Sequence, residues 1–185
     1  MKRIDIFNSS PLFITPRLVI KPWQVLEKKA LSKQRLLQEV NNILSPNVVK
    51  DLPDSWQHLH GLNEIEEWVK EQNLESYFYG IEYLESNELI GLLFLYSENE
   101  DERNPTLDLR LGYLLKESKW GKGLASEMIA ALVLWCKDQM AIRSISGGVE
   151  VGNIGSIKVL EKNGFMQSSQ EMPSGALLYE LRLED

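Results

Sequence analysis

The residues of this chain best suited to chemistry lie in a glycine-containing segment, Lys116–Ser126, which we call the glycine loop. Its end, Trp120-Gly121-Lys122-Gly123-Leu124-Ala125-Ser126, leads into an apolar stretch with helical spacing. Backbone N–H groups at the start of a helix have no partner within it, and the helix dipole favours an anion there. The small residues let the backbone come close to a ligand. The glycine loop therefore predicts a phosphate site, although a glycine turn before a helix is more often only a turn.

Two common nucleotide-binding motifs are excluded by the spacing within the glycine loop. The segment contains neither G-x-x-x-x-G-K-[ST] nor G-x-G-x-x-G. Lys119 and Lys122 add positive charge, and Ser126 supplies a hydroxyl donor.

A second segment carries polar residues between Asn153 and Phe165. It reads Asn-Ile-Gly-Ser-Ile-Lys-Val-Leu-Glu-Lys-Asn-Gly-Phe. Asn153 is suited to cap a helix, and Ser156 is an early-helix hydroxyl that can bond locally. Lys162 lies where a cation stabilises the C-terminal end of a helix.

The first half of the chain predicts an edge strand followed by helices. Leu12–Ile20 is apolar and β-branched but contains Pro16, which cannot donate to a central ladder. Helical spacing then relates Leu26, Ala30, Leu37 and Val40, up to Ser45-Pro46. A further helix is expected over Glu64–Gln72, capped by Asn63 with Glu66 reaching back. Its buried stripe comprises Ile65, Trp68 and Val69.

Strands and the glycine loop follow these helices. Tyr77–Tyr83 and Glu88–Tyr96 read as an antiparallel hairpin about Glu85-Ser86-Asn87, and Thr106–Leu115 as a further strand. An acidic loop over Ser97–Pro105, with Glu98, Glu100, Asp101 and Glu102, reads as a solvated charge run.

The second half predicts alternating helices and strands. The helix after the glycine loop has an apolar stripe of Leu124, Met128, Leu132 and Trp135. Ser144–Val151 reads as a strand, Ile154–Lys162 as a helix ended by Asn163-Gly164, and Leu177–Leu183 as a closing strand. This order brings strands side by side with helical crossovers.

Composition narrows the class of protein. The 185 residues, 43% of them hydrophobic, suit a single domain over 1–185, and the lone Cys136 excludes a disulfide within the chain or a cysteine-rich metal site. A net charge of -7 disfavours nucleic acid. No apolar run approaches the roughly 20 residues that span a bilayer, and no signal peptide is evident. We expect a cytoplasmic protein that holds no metal and does not associate with membranes.

Several segments together resemble the GNAT superfamily of N-acetyltransferases, in the branch of ribosomal-protein alanine N-terminal acetyltransferases and their relatives. The resemblance rests on Gly112-Tyr113, on the glycine loop, and on the Asn-x-x-Ser-x-x-x-Leu-Glu-Lys-x-Gly-Phe segment, in that order. Thr15-Pro16-Arg17-Leu18 and Glu88-Leu89-Ile90-Gly91 match the same branch. It covers nearly the whole chain.

The resemblance implies a fold and a cosubstrate. The fold is α/β (α+β): a mixed, mostly antiparallel central sheet flanked by helices, whose central parallel strands splay apart to form an acetyl-CoA site. The backbone from Leu114 through Leu115 to Lys116 would pair with the thioester carbonyl and pantetheine. The pyrophosphate would be held by Gly121, Lys122, Gly123, Leu124, Ala125 and Ser126. Asn153 would bind pantetheine, Ser156 would protonate the departing thiolate, and Lys162 would approach the adenosine phosphates.

The chain departs from that family at two positions. Trp120 replaces the Arg or Gln that usually begins the loop, which removes a polar contact that Lys119 or Lys122 could supply instead. Arg110 replaces a glutamate that is common two residues before the Gly-Tyr pair, so the general base is open. Glu150 is the first candidate and Asp108 the next.

The sequence leaves open the role of the two histidines and the choice between an enzyme and a noncatalytic binding protein. His58 and His60 could face the acceptor pocket, although solvated histidines and carboxylates are commoner than catalysts. The implied function is transfer of an acetyl group to a primary amine, either a protein N-terminus or a small molecule such as a polyamine or aminoglycoside. The alternative is a noncatalytic member that binds acyl-CoA as a sensor or scaffold. A homodimer is compatible with the sequence, which does not set the oligomeric state.

Overall fold

The computed structural model describes residues 5–59, 61–98, 106–139, 141–170, 172 and 174–183. Its strands are β1 (Phe13–Ile14), β2 (Leu18–Pro22), β3 (Tyr77–Tyr83), β4 (Leu89–Ser97), β5 (Leu107–Leu115), β6 (Ile142–Val149), β7 (Met166–Gln167) and β8 (Leu177–Arg182). Its α-helices are α1 (Trp23–Lys29), α2 (Lys33–Ile43), α3 (Pro46–Val49), α4 (Asp54–Gln57), α5 (Leu62–Glu75), α6 (Leu124–Asp138) and α7 (Ile154–Lys162).

The described strands form one eight-stranded sheet in the order β1-β2-β3-β4-β5-β6-β8-β7. The β5–β6 pair is parallel, whereas the β1–β2, β2–β3, β6–β8 and β7–β8 pairs are antiparallel. A parallel pair needs a crossover, and α6 supplies it between β5 and β6. The predicted mixed sheet with a central parallel pair and flanking helices is confirmed.

The chain divides into two compact units. The first comprises Met1–Phe94 and Tyr113–Leu124, and the second comprises Leu95–Gly112 and Ala125–Asp185. The single-domain organisation over residues 1–185 stays a prediction.

The N-terminal strand region differs from the prediction. Leu12–Ile20 is not one strand, because β1 and β2 pair with each other and place Phe13 opposite Ile20. Pro16 lies in the bend between them, where its missing N–H breaks no ladder hydrogen bond. The edge position of this region is confirmed, since β1 is the first strand of the sheet.

Two helix predictions also need correction. The first helical segment is split into α1 and α2 by Ala30–Ser32, and the Ser32 hydroxyl caps α2 by accepting the Arg35 N–H at 3.1 Å. For α5 the N-cap is Gly61 at φ 91°, so the predicted Asn63 cap is wrong. Glu66 pairs instead with Lys33 and Lys70.

The apolar stripes are largely as predicted. Ile65, Trp68 and Val69 are buried on α5. On α6 the buried positions are Leu124, Met128, Ile129, Leu132 and Cys136. Cys136, four residues after Leu132, thus continues the stripe on which Trp135 was expected.

The remaining element predictions agree within about two residues at each end. β3 and α7 have the predicted bounds, and Gly164 follows α7 at φ 86°. Short β7 was not predicted. Of the predicted acidic loop, residues 99–105 lie outside the described residues.

Candidate functional site

The glycine loop begins where β5 ends and continues into α6. A short 3-10 helix, Glu117–Lys119, follows β5, and α6 begins at Leu124. Gly121 and Gly123 have φ values of 69° and 74°. Residues with a Cβ rarely adopt such positive φ values, so the path of the loop requires glycine at both positions.

The backbone donors of the glycine loop fit an anion. The N–H groups of Gly121, Lys122 and Gly123 meet no acceptor among the described residues. All three residues are exposed, and they precede the 15-residue helix α6. Unpaired N–H groups at a helix start carry partial positive charge. This arrangement can bind a phosphate or pyrophosphate through the backbone alone.

Two lysines of the glycine loop are held by one carboxylate. Lys116 and Lys119 reach Glu88 at 2.9 and 2.6 Å. Hydrogen bonds from Lys119 and then Lys116 hold the pKa of the Glu88 carboxyl below its ordinary value. The Lys119 ammonium also lies 5.0 Å from the ring centre of Tyr83. Lys119 is thus engaged away from the loop backbone, whereas Lys122 is exposed.

Trp120 turns its indole back onto the end of β5. Its Nε1–H donates to the Leu115 carbonyl at 2.8 Å, and the Lys116 N–H donates to the Ile90 carbonyl at 2.8 Å. Two of the backbone groups expected to meet pantetheine therefore already have partners within the chain. Leu114 is buried beside Gly91, where a Cβ would come within 2.5 Å of the Leu114 carbonyl oxygen.

Arg17 contacts the glycine loop, and the sequence alone does not predict this contact. Its Nη1 donates to the Lys122 carbonyl at 3.0 Å, and Nη2 would lie 3.7 Å from a Cβ at Gly123. The signal that could have found it is its place in Thr15-Pro16-Arg17-Leu18, a motif that carries the resemblance but was given no role.

The remaining loop residues belong to the second compact unit. Ala125 and Ser126 are half-buried in the first turn of α6. The Ser126 hydroxyl accepts from Asn163 Nδ2 at 3.3 Å, and the same amide donates to the Val159 carbonyl at 2.7 Å. The proton of the Ser126 hydroxyl is therefore left to donate elsewhere, as its predicted role requires.

Asn153 is the N-cap of α7. Its Oδ1 accepts the Ser156 N–H at 3.0 Å, so the expected capping role is confirmed. Its Nδ2 has no acceptor among the described residues and can donate to a ligand. The Ser156 side chain is half-buried, and Lys162 is exposed in the last turn of α7.

The parallel pairing of β5 with β6 covers only the first part of each strand. It runs from Leu107 opposite Ile142 to Arg110 opposite Ser146. The two strands continue to Leu115 and Val149. The predicted divergence of the two strands agrees with this early end of the register.

Asp108 is committed to an ion pair. Its Oδ1 accepts from Arg143 Nε at 2.9 Å and from the Ser144 hydroxyl at 2.6 Å, and its Oδ2 pairs with Arg143 Nη2. The Asp108 side chain is only 14% exposed. A carboxylate held in this way ties β5 to β6, which favours a structural role over that of a base.

A second carboxylate, that of Glu98, lies beside Arg110 and Ser146, the pair at which the β5–β6 register ends. Glu98 accepts from the Ser146 hydroxyl at 3.2 Å and lies 3.7 Å from Arg110 Nε. The Arg110 guanidinium also stacks 5.4 Å from the ring centre of Tyr96. The sequence placed Glu98 in a solvated charge run, because no local pattern reveals a contact with Ser146, 48 positions away.

The other candidate bases within the described residues, Glu150 and His58, are exposed. Glu150 is exposed just after β6, and its backbone carbonyl accepts the Asn153 N–H at 2.8 Å. His58 is exposed after α4, and His60 lies outside the described residues.

The described residues contain neither a candidate metal site nor a helix that could span a membrane. Within these ranges no group of three or more His, Cys, Asp or Glu side chains could hold a metal ion. No helix in the same part of the chain is long and apolar enough to cross a membrane.

Comparison with known proteins finds a family and several relatives. The "Acetyltransferase (GNAT) domain" family model matches residues 17–166. The "Probable N-acetyltransferase YjcK" of Bacillus subtilis (strain 168) is 32% identical over 91 residues, which are 49% of this chain and 49% of that protein. The chain therefore matches about half the length of this relative.

Two solved structures share the fold. The microcin C7 self immunity acetyltransferase MccE, in complex with acetyl-CoA and AMP, has a TM-score of 0.71 and 15% identity, over 97% of this chain and 99% of that chain. The ribosomal L7/L12 alpha-N-protein acetyltransferase RimL, in complex with coenzyme A, has a TM-score of 0.69 and 19% identity, over 92% and 96%. Because the family model spans most of the sequence, this chain belongs to the GNAT acetyltransferase family.

Proposed function

We propose that this protein transfers an acetyl group from acetyl-CoA to a primary amine. The observation that carries the proposal is the set of N–H donors without a partner at Gly121, Lys122 and Gly123, at the start of α6 in a GNAT chain. MccE, which shares this fold, binds acetyl-CoA.

The pyrophosphate of acetyl-CoA is assigned to the backbone of Gly121 to Ser126. Lys122 is the exposed lysine of this segment, and Lys119 stays with Glu88. Asn153 contributes its Nδ2 to the pantetheine region, and Lys162 the charge nearest the adenosine phosphates. The backbone from Leu114 to Lys116 follows pantetheine through groups not already used by Ile90 and Trp120.

Acetyl-CoA supplies an acetyl group activated as a thioester. The neutral amine nitrogen attacks the thioester carbonyl carbon, so that a C–N bond forms as the C–S bond breaks. The amine gives up a proton, and the thiolate takes one. Glu150 is the proposed base, acting through water, and Ser156 the proposed acid.

Glu98 is a second candidate for the base. It lies beside Arg110, which stands where relatives carry a glutamate, and beside Ser146, the last residue of β6 that pairs with β5. Glu150→Gln and Glu98→Gln separate the two, because the variant that lacks the base should lose turnover about a hundredfold while binding CoA normally. Asp108 is not proposed as the base, since Arg143 and Ser144 already hold its carboxylate.

The acceptor is proposed as a protein N-terminus. The support is the branch resemblance together with RimL, whose name gives a ribosomal protein as its substrate. A small-molecule amine is the alternative. A cytoplasmic location, a homodimer, and the absence of nucleic-acid and membrane partners are further proposals, consistent with the net charge of -7.

The deciding experiment measures free-thiol release from acetyl-CoA with a panel of N-terminal peptides, polyamines and aminoglycosides, alongside calorimetric binding of CoA. Binding with amine-dependent thiol release supports the enzyme. Binding without turnover across the panel would favour the noncatalytic sensor, for which the Arg110–Glu98 pair is the structural support. Failure of the protein to bind CoA would refute both.

A further inference from the structure

The turn that contains Arg17 is held rigidly by its neighbours. Thr15, which is 7% exposed, accepts the Leu18 N–H at 2.8 Å and the Arg17 N–H at 3.3 Å through its hydroxyl oxygen. The Arg17 carbonyl accepts the Leu84 N–H at 2.8 Å. The backbone from which the Arg17 side chain extends is therefore fixed between β1 and β2 on one side and the β3–β4 turn on the other.

From this anchored position the Arg17 side chain reaches the glycine loop. Its guanidinium donates to the Lys122 carbonyl at 3.0 Å. A hydrogen bond from a charged group is stronger than one from a neutral group. Since Arg17, Lys122 and Gly123 all belong to the first compact unit, the contact lies within one unit.

This contact sets the direction of the next backbone donor. In a trans peptide the C=O and N–H bonds lie in one plane and point in opposite directions. A guanidinium bound to the Lys122 carbonyl therefore turns the Gly123 N–H away from Arg17, and this N–H has no acceptor among the described residues. Without that bond, the conformational freedom of Gly123 would let the Lys122–Gly123 peptide rotate and present its carbonyl oxygen to the anion.

We propose that Arg17 is a positioning residue that holds the Lys122–Gly123 peptide so that the Gly123 N–H is presented to the pyrophosphate of CoA. The inference rests on the proposed function. It gives the Thr15-Pro16-Arg17-Leu18 motif a task, which Arg17 performs through the backbone of the glycine loop.

The test compares Arg17→Met and Arg17→Lys with Arg35→Met. Methionine keeps an apolar stem and removes the donors, and lysine keeps the charge on a single donor nitrogen. Arg35 is an exposed arginine of α2 that pairs with Glu39. Calorimetry with CoA should show affinity about tenfold lower for Arg17→Met, partly recovered in Arg17→Lys and unchanged in Arg35→Met. The unfolding temperature checks that the variants fold.

An amide spectrum of the protein without CoA supplies a readout that a general loss of packing would not produce. The ¹H–¹⁵N signal of Gly123 should move in Arg17→Met and return toward its original position in Arg17→Lys, while signals of α5 stay in place. If wild type and Arg17→Met bind CoA equally, the positioning role is wrong and the proposed function stands. If wild type does not bind CoA, both fail. If Arg17→Met does not fold, equal binding by Arg17→Lys and wild type with an altered Gly123 signal would overturn the inference.

Discussion

The starts of α6 and α7 differ in whether their backbone N–H groups already have an acceptor within the chain. Before α6, the N–H groups of Gly121, Lys122 and Gly123 meet no acceptor among the described residues. At α7, Asn153 Oδ1 takes the Ser156 N–H at 3.0 Å. The start of α6 is thus available to an external anion, whereas that of α7 is capped from within the chain. It follows that Asn153 can serve a ligand only through its remaining amide donors.

Of the substitutions at these two helix starts, Gly123→Val should lower CoA affinity the most. A β-branched side chain is strained at a φ of 74° and would alter the direction of the loop donors. We expect CoA affinity to fall about a hundredfold, or roughly 2.7 kcal/mol, as measured by calorimetry.

The matched control for that change is Gly61→Val. Gly61 also precedes a helix, has a φ of 91°, and has open space around the position of a Cβ. It should lose a similar amount of stability and leave CoA affinity unchanged. Equal affinity losses in both variants would show that strain alone accounts for the effect.

Asn153→Asp separates capping from ligand contact at α7. Aspartate keeps the oxygen that accepts the Ser156 N–H but lacks the Nδ2 donors. We expect the free energy of unfolding to stay within about 0.5 kcal/mol of wild type, while CoA affinity falls about tenfold. Chemical denaturation and calorimetry measure the two quantities.

Ser32→Ala is the control for Asn153→Asp. Ser32 caps α2 through the Arg35 N–H, so its loss should cost about 1 kcal/mol of stability without weakening CoA binding. The prediction for Asn153 is wrong if Asn153→Asp binds CoA like wild type.

The ion pairs of Glu88 should make the stability of the fold depend on pH. Because Lys119 and Lys116 lower the pKa of its carboxyl in the folded protein, the ion pairs stabilise the fold above the ordinary glutamate range. That stability should disappear as the pH falls below about 4.3 and through the lowered pKa. Glu88→Gln should lower the melting temperature by a few °C at most at pH 7, and this deficit should shrink as the pH falls through the lowered pKa, since partly exposed pairs contribute about 1 kcal/mol or less.

Glu85→Gln, in the exposed turn next to Glu88, is the control and should leave the melting temperature unchanged over the same pH range. A Glu88→Gln deficit that does not shrink as the pH falls would mean that the side chain acts through packing rather than through its charge.

The smallest expected effect concerns Cys136. Burial raises the pKa of this thiol to about 12, and the residue is 0% exposed in α6. A thiol-specific reagent at pH 8 should therefore leave the folded protein unlabelled and react in urea. Rapid labelling of the folded protein would show that α6 opens locally.

Local patterns were sufficient to predict much of the fold. The bounds of α7 follow from a capping asparagine at one end and Gly164 at the other, both of which act within a few residues. The glycine loop was predicted as a backbone site because glycine has special dihedral freedom wherever it occurs. The Asn63 cap failed because Gly61 begins the helix earlier and two lysines hold Glu66.

The parts that could not be predicted depend on contacts between distant positions. Arg17 meets Lys122 across 105 positions, and Glu98 meets Ser146 across 48. No local pattern in one sequence encodes such pairs, because they arise only when the sheet is assembled. The engagement of Lys119 by Glu88 was missed for the same reason.

Amide hydrogen exchange with and without CoA tests the central claim most directly. The account predicts that the N–H groups of Gly121, Lys122 and Gly123 exchange at least about tenfold more slowly when CoA is bound, because each gains an acceptor. The Ser156 N–H should change much less, since Asn153 already holds it. Unchanged exchange at the three loop positions in the presence of saturating CoA would contradict the account.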